Sequence, residues 1–245
     1  MKSVIFAMLF SMASIGFSQT HQNGLIIPKN FHNDSFSEYC CVFAPIEGFN
    51  LYDAPNGNKI GKVLQKQKAN LALTELYVIA LANGNTPIYK KFDQGLTEVG
   101  YEIFAMSFYK NKDGFVKIFD KKSSYWIKVS EIEEMGYKAT NWQDFLIENK
   151  DKFLGYYANK PGLNLRSEPL KSAKVLKTLR GDLFEIKLQK EAQGNWNKVK
   201  VIKYQEHPCK GNLTNEKNIE YILEGWIKTI DDSGTPNVWY YARGC

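Results

Sequence analysis

One phrase occurs twice in this chain, and that duplication limits the possible folds more than any other feature. Gly48-Phe49-Asn50-Leu51-Tyr52-Asp53-Ala54-Pro55 and Gly162-Leu163-Asn164-Leu165-Arg166-Ser167-Glu168-Pro169 both read G-x-N-L-x-x-x-P. Each is followed by a lysine and an apolar residue, Lys59-Ile60 in one copy and Lys174-Val175 in the other. A second echo closes each copy: Lys117-Ile118 leads to Trp126-Ile127-Lys128, and Lys198-Val199 leads to Gly225-Trp226-Ile227-Lys228. A shared opening and a shared ending imply two copies of one fold. The distance from Asn50 to Asn164 leaves room for one small domain per copy.

The first 18 residues have the pattern of an export signal. Lys2 gives a positive start, Val4 to Met12 an apolar stretch, and Gly16-Phe17-Ser18 the small residues of a cleavage site before Gln19. The apolar run is shorter than the roughly 20 residues needed to span a bilayer, and no membrane span is expected elsewhere. The mature protein is therefore expected to be secreted or periplasmic. Residues 19–38 are polar and read as a flexible leader.

Charge narrows the partners. The net charge is +6, but only three of the 32 basic residues are arginine. Bidentate recognition of phosphate and base edges favours arginine, so nucleic acid is not an expected partner. Anionic envelope polymers suit the sign of the charge. Four cysteines in an exported chain point to disulfides. Of the possible pairings, Cys209–Cys245 is the favoured one, tying an insertion to the C-terminus; Cys40 and Cys41 are left open between a vicinal bridge and other partners. The cysteine spacing contains no C-x-x-C unit, and no metal or cofactor is expected.

The body of the chain reads as short strands. Tyr101–Tyr109 and Phe115–Phe119 flank Asp113-Gly114, a hairpin signal. In the second copy Phe184, Ile186 and Leu188 alternate, and Asn197, Val199 and Val201 share one face. Many short strands between glycine-rich turns argue for small barrels. Ser130/Glu133 and Thr140/Gln143 predict capping boxes, and residues 137–154 are expected to form a helical linker. There Trp142, Phe145, Leu146 and Asn149 fall on one helical face, with Trp142 read as an interdomain packing residue.

Over residues 156–230 the chain resembles a bacterial SH3-like (SH3b) domain. The resemblance rests on Leu163-Asn164-Leu165-Arg166-Ser167-Glu168-Pro169, Val175-Leu176, Gly181-Asp182, Asn195-Trp196-Asn197-Lys198-Val199 and Gly225-Trp226-Ile227, in that order. The first copy is more divergent. Tyr52 stands in place of the arginine, Phe115 or Val116 in place of the strand tryptophan, and extra residues precede Gly114. The resemblance implies a mainly β protein of two small SH3-like barrels, 39–136 and 155–245, joined by the 137–154 linker. It implies a binding module used at the cell envelope, often for peptidoglycan or its cross-bridge peptides. Trp126, Trp196 and Trp226 are expected to fill the barrels.

Enzymatic activity is not expected. His207 and Cys209 sit two apart in a polar insertion with no strand–helix context to raise a nucleophile; a thiol-dependent hydrolase is the remote alternative. Arg180-Gly181-Asp182 is read as a turn and not as an adhesive tripeptide. Ligand contacts are expected at Tyr52, Tyr157, Arg166, Glu168, Trp239 and Tyr241, where aromatics lie beside polar groups. The ligand is expected to be a cell-wall polymer. An envelope protein, to which this chain would act as inhibitor or assembly factor, is the alternative.

Overall fold

In the computed structural model the described residues are 23–31, 44–45, 47–67, 74–80, 88–92, 95–100, 103–118, 125–152, 155–208 and 210–240. Cys40, Cys41, Cys209, Cys245 and Tyr241, with residues 1–18 and most of the expected 19–38 leader, lie outside them.

The first half contains β1 (Gly24–Pro28), β2 (Phe49–Tyr52), β3 (Lys59–Gln67), β4 (Thr74–Ala80), β5 (Ile88–Phe92), β6 (Leu96–Gly100), β7 (Ile103–Lys112), β8 (Phe115–Ile118) and β9 (Trp126–Lys128). Helix α1 (Val129–Glu134), β10 (Tyr137–Asn141) and α2 (Trp142–Asn149) follow. The second half contains β11 (Tyr156–Ala158), β12 (Leu163–Arg166), β13 (Val175–Leu179), β14 (Phe184–Gln193), β15 (Trp196–Tyr204), α3 (Asn215–Asn218), β16 (Ile219–Lys228) and β17 (Val238–Tyr240). The protein is mainly β, built on two antiparallel sheets. Among the described residues neither sheet closes into a barrel. No helix among them is long and apolar enough to cross a membrane.

The two sheets share one topology. In the second the order is β13-β12-β16-β15-β14-β11-β17. In the first, β3-β2-β9-β8-β7-β1-β10 runs in the same sense, with β4 and β5 added beyond β3 and β6 paired to β7. Register carries the equivalence to single residues. Tyr52 pairs with Trp126 and Arg166 with Trp226. Both hairpins slip register at that residue, at Leu51/Tyr52 and at Leu165/Arg166. Phe115 pairs with Lys128 as Trp196 pairs with Lys228, so Phe115 and not Val116 occupies the strand-tryptophan position. Ile26 lies between Met106 and Ala139 as Tyr156 lies between Ile186 and Tyr240.

The glycine that opens each signature has a steric reason. Gly48 and Gly162 have φ of +74° and +120°, and a Cβ on either would stand 2.6 Å from a carbonyl oxygen, of Val63 or of Leu179. Neither the backbone angle nor the space suits an L side chain.

Three expectations are corrected. The 19–38 leader is not polar throughout: Leu25, Ile26 and Ile27 are 0%, 0% and 1% exposed within β1, an inner strand of the first sheet. Burying three adjacent branched apolar side chains between two neighbouring strands is favourable enough to order the segment. The linker is likewise shorter than 137–154. Residues 137–141 pair with β1 along its whole length and complete the first unit, leaving α2 as the helical connection. The helix caps differ too. Asn141 Oδ1, not Thr140, accepts the Asp144 amide at 2.9 Å, and α1 starts after Lys128 without a side-chain cap.

The buried face of α2 is Trp142, Phe145, Leu146 and Asn149, and it joins the sheets. The Trp142 ring meets Trp239 edge-on with centroids 5.4 Å apart, and Phe145 stacks on Trp239 at 5.9 Å. Phe31 abuts Phe145 from the first-unit side. Polar ties reinforce the junction: Tyr240 Oη donates to Val99 O at 2.8 Å, Tyr156 Oη to Leu146 O at 2.7 Å, and Asn23 Nδ2 to Ser233 O at 2.8 Å. One apolar core runs through both units.

Candidate ligand-binding face

Residues paired across neighbouring strands project to the same side of a sheet. In the second unit Lys198, Trp226 and Arg166 are paired in succession across β15, β16 and β12. Trp196 and its partner Lys228 stand beside them, two positions along on the same side. Their strand neighbours Asn197, Val199, Gly225, Ile227 and Leu165 are all buried, whereas Trp196, Lys198, Trp226, Lys228 and Arg166 are half-buried. Alternation thus sends the aliphatic residues to the core and two indoles with three cations to the outer face. This corrects the expectation that Trp196 and Trp226 fill a barrel interior.

The cations on this face are held in place. Arg166 Nη1 donates to Ala173 O at 2.7 Å, which draws its guanidinium along the tip of its own hairpin. Asn164 Oδ1 accepts the Thr178 hydroxyl at 2.9 Å across that hairpin. Lys198 Nζ is 3.2 Å from Glu191 Oε1. Lys228 and Lys171 both engage the Asp232 carboxylate, and these two ammonium groups pull its pKa down from 3.8 to about 2. Beneath the face, Thr229 Oγ1 donates to the buried Asn197 Oδ1 at 2.6 Å, so a polar core residue is satisfied. Close packing also explains Gly225. A Cβ there would lie 2.6 Å from Arg166 O, and glycine lets β12 approach β16 closely enough to place Arg166 beside Trp226.

The first unit carries the corresponding row Lys117, Trp126 and Tyr52, but this one is shut. Trp126 is only 8% exposed. Tyr52 rests edge-on against Phe115 at 5.4 Å and donates its hydroxyl to Glu131 Oε1 at 2.5 Å, while Asn50 Nδ2 donates to Glu131 Oε2 at 3.0 Å. The Glu131 carboxylate stabilises the protonated phenol, raising the Tyr52 pKa from 10.0 to about 12. Glu131 therefore clamps the signature strand to α1. A functional clue lay in the chain, since Glu131 and Asp231 hold matching positions five residues after Trp126 and Trp226. In the second unit Asp231 turns instead to its own loop, accepting from the Ser233 and Thr235 amides at 2.8 and 2.9 Å.

The expected ligand contacts do not form one site. Tyr52 and Arg166 occupy matching positions in different units. Glu168 is exposed at the tip of the β12–β13 hairpin. Tyr157 and Trp239 are paired at the junction between the sheets, where Trp239 is engaged by Trp142 and Phe145, and burial raises the Tyr157 pKa. Tyr241, Cys209 and Cys245 lie outside the described residues. The sequence reading had passed over Lys198, Lys228 and the outward aim of the two tryptophans.

His207 Nε2 approaches Asp182 Oδ2 at 3.6 Å, which ties the polar insertion to the Arg180-Gly181-Asp182 turn, where Gly181 has φ +75°. Among the described residues no group of three or more His, Cys, Asp or Glu side chains gathers as metal ligands would. No known protein family, curated protein or solved structure matches the chain.

Proposed function

We propose that this is an exported, non-enzymatic binding protein of two SH3-like units that recognises cell-envelope material, with peptidoglycan peptides as the ligand. The observation that carries this reading is the outer face of the second unit, where Trp196 and Trp226 lie among Lys198, Lys228 and Arg166. Wall peptides bear free carboxylates on short flexible chains linked to sugar. Arginine and lysine engage the carboxylates, and indole faces supply contact area at low entropy cost.

The strand arrangement supports the SH3-like reading. A three-strand meander, β14-β15-β16, has the signature hairpin at one edge and the first and last strands at the other. Lys177 Nζ lies 5.5 Å from the centre of the Tyr221 ring, a contact that requires the sheet to coil. The first unit contributes the scaffold and a matching but occluded row, so the second unit dominates binding.

Co-sedimentation of residues 19–245 with purified sacculi tests the proposal. Saturable retention, weakened by salt and competed by soluble muropeptides, is expected. Arg166→Ala and Lys198→Ala should each lower it about tenfold, while Tyr52→Ala should change it little. No retention at any salt concentration would overturn the reading.

A further inference from the structure

The duplication also shows what has been left open in the second unit. In the first unit the outer edge of the signature hairpin is covered, because β4 pairs antiparallel with β3 from Gly61↔Ala80 to Gln67↔Thr74. Register equates Val63 with Leu179, Lys62 with Thr178 and Gly61 with Lys177. The matching strand of the second unit, β13, pairs with β12 alone among the described residues. Its first four residues, Val175 to Thr178, are exposed.

We propose that β13 is a docking edge for an extended acidic peptide segment of a partner protein, which adds antiparallel at Lys177–Leu179 as β4 adds to β3. Two further observations specify that occupant. Val175 and Leu176 are 42% and 40% exposed, and Leu170 at the hairpin tip is 50% exposed. An edge needing only protection from aggregation would be short and polar, without this apolar surface. The stretch Lys174-Val175-Leu176-Lys177-Thr178-Leu179-Arg180 carries three cations and no acid. A second copy of the chain docking edge to edge would set these cations against each other, and like charges on facing strands are destabilising. An acidic strand with alternate apolar residues meets both the charge and the apolar surface, and its backbone supplies the missing ladder.

The probe is a fluorescent synthetic peptide with the sequence of Thr74–Ala80 between two glutamates at either end, titrated into the full mature chain. Two analogues carry N-methyl groups on alternate amides, in opposite phase. A strand ladder uses only one phase, so one analogue should bind about tenfold or more weakly and the other nearly as well as the parent. Amide exchange should slow at Val175–Leu179, and Lys174→Glu with Lys177→Glu should weaken binding, while the charge-matched pair Lys110→Glu with Lys112→Glu, exposed on β7 of the first unit, leaves it unchanged. The proposal is overturned by absence of saturable binding, by equal tolerance of both methylation phases, by slowed exchange at β3 instead of β13, or by self-association of the chain through β13. Sacculus retention does not depend on any of these results, so the two readings fail separately.

Discussion

The two units present the same strand order and the same pairing register, yet one has been closed and the other left open. In the first, Glu131 holds Tyr52 and Asn50, Trp126 is buried, and β4 covers the hairpin edge. In the second, the tryptophans reach solvent, Arg166 stands where Tyr52 stood, and β13 remains an edge among the described residues. The lesson is that a duplicated fold preserves what the backbone requires and diverges in what it displays. Gly48 and Gly162, Leu51 and Leu165, Ile127 and Ile227 are kept because the close approaches and the core demand them. The outward residues of the same strands are free to change.

The largest effect expected from breaking this comparison follows from removing β1. Leu25, Ile26 and Ile27 together contribute about 5–9 kcal/mol by burial, comparable with the whole stability of a small domain. A chain beginning at residue 29 should leave the first unit unfolded while the second retains a smaller cooperative transition than that of the intact protein, as followed by circular dichroism and urea titration. An unchanged unfolding profile would mean that β1 is dispensable and the units are not equivalent.

Next in size is Phe145→Ala. This ring is 0% exposed and stacks on Trp239 at the junction, so truncation should cost about 3–5 kcal/mol. It should also split one thermal transition into two in calorimetry. A single transition at the original temperature would contradict the shared core.

Gly48→Ala and Gly162→Ala sharpen the equivalence. Each meets the same carbonyl clash at a positive φ, so each should cost about 1–3 kcal/mol, and the two losses should agree. A large loss at one site and none at the other would show that the hairpins differ.

The smallest effect separates the two rows. Tyr52→Phe removes a hydrogen bond to a half-exposed carboxylate, worth about 1 kcal/mol. Its sign with pH is fixed: the folded phenol keeps its proton to about 12 while the unfolded one releases it near 10. The stability from this bond is present at neutral pH and is lost as pH rises between those values. The difference in stability between wild type and Tyr52→Phe should therefore shrink across that window. Arg166→Ala should show no such pH dependence.

Much of this was legible in the sequence, and the limits have physical causes. The paired signatures located both hairpins because their glycines and leucines answer to local backbone and core constraints. Strand β1 was hidden because five residues between polar flanks carry too little periodicity, and its partners Met106 and Ala139 are far along the chain. The helix face of Trp142 and Phe145 was visible at helical spacing, and so was the inward alternation of Asn197, Val199 and Val201. That same alternation already implied that Trp196 and Lys198 point outward, but the family pattern drew the reading toward a filled barrel. The Glu131 clamp could not be seen because it joins residues from separate elements, and only the spacing from each tryptophan hinted at it.

The most direct test of the duplicated architecture is a set of cross-strand backbone nuclear Overhauser effects in residues 19–245. Ile26 should show contacts to both Met106 and Ala139, mirroring those from Tyr156 to Ile186 and Tyr240. If the amides of residues 24–28 instead exchange at unstructured rates and show no such contacts, the first unit lacks its inner strand and the equivalence of the two units fails.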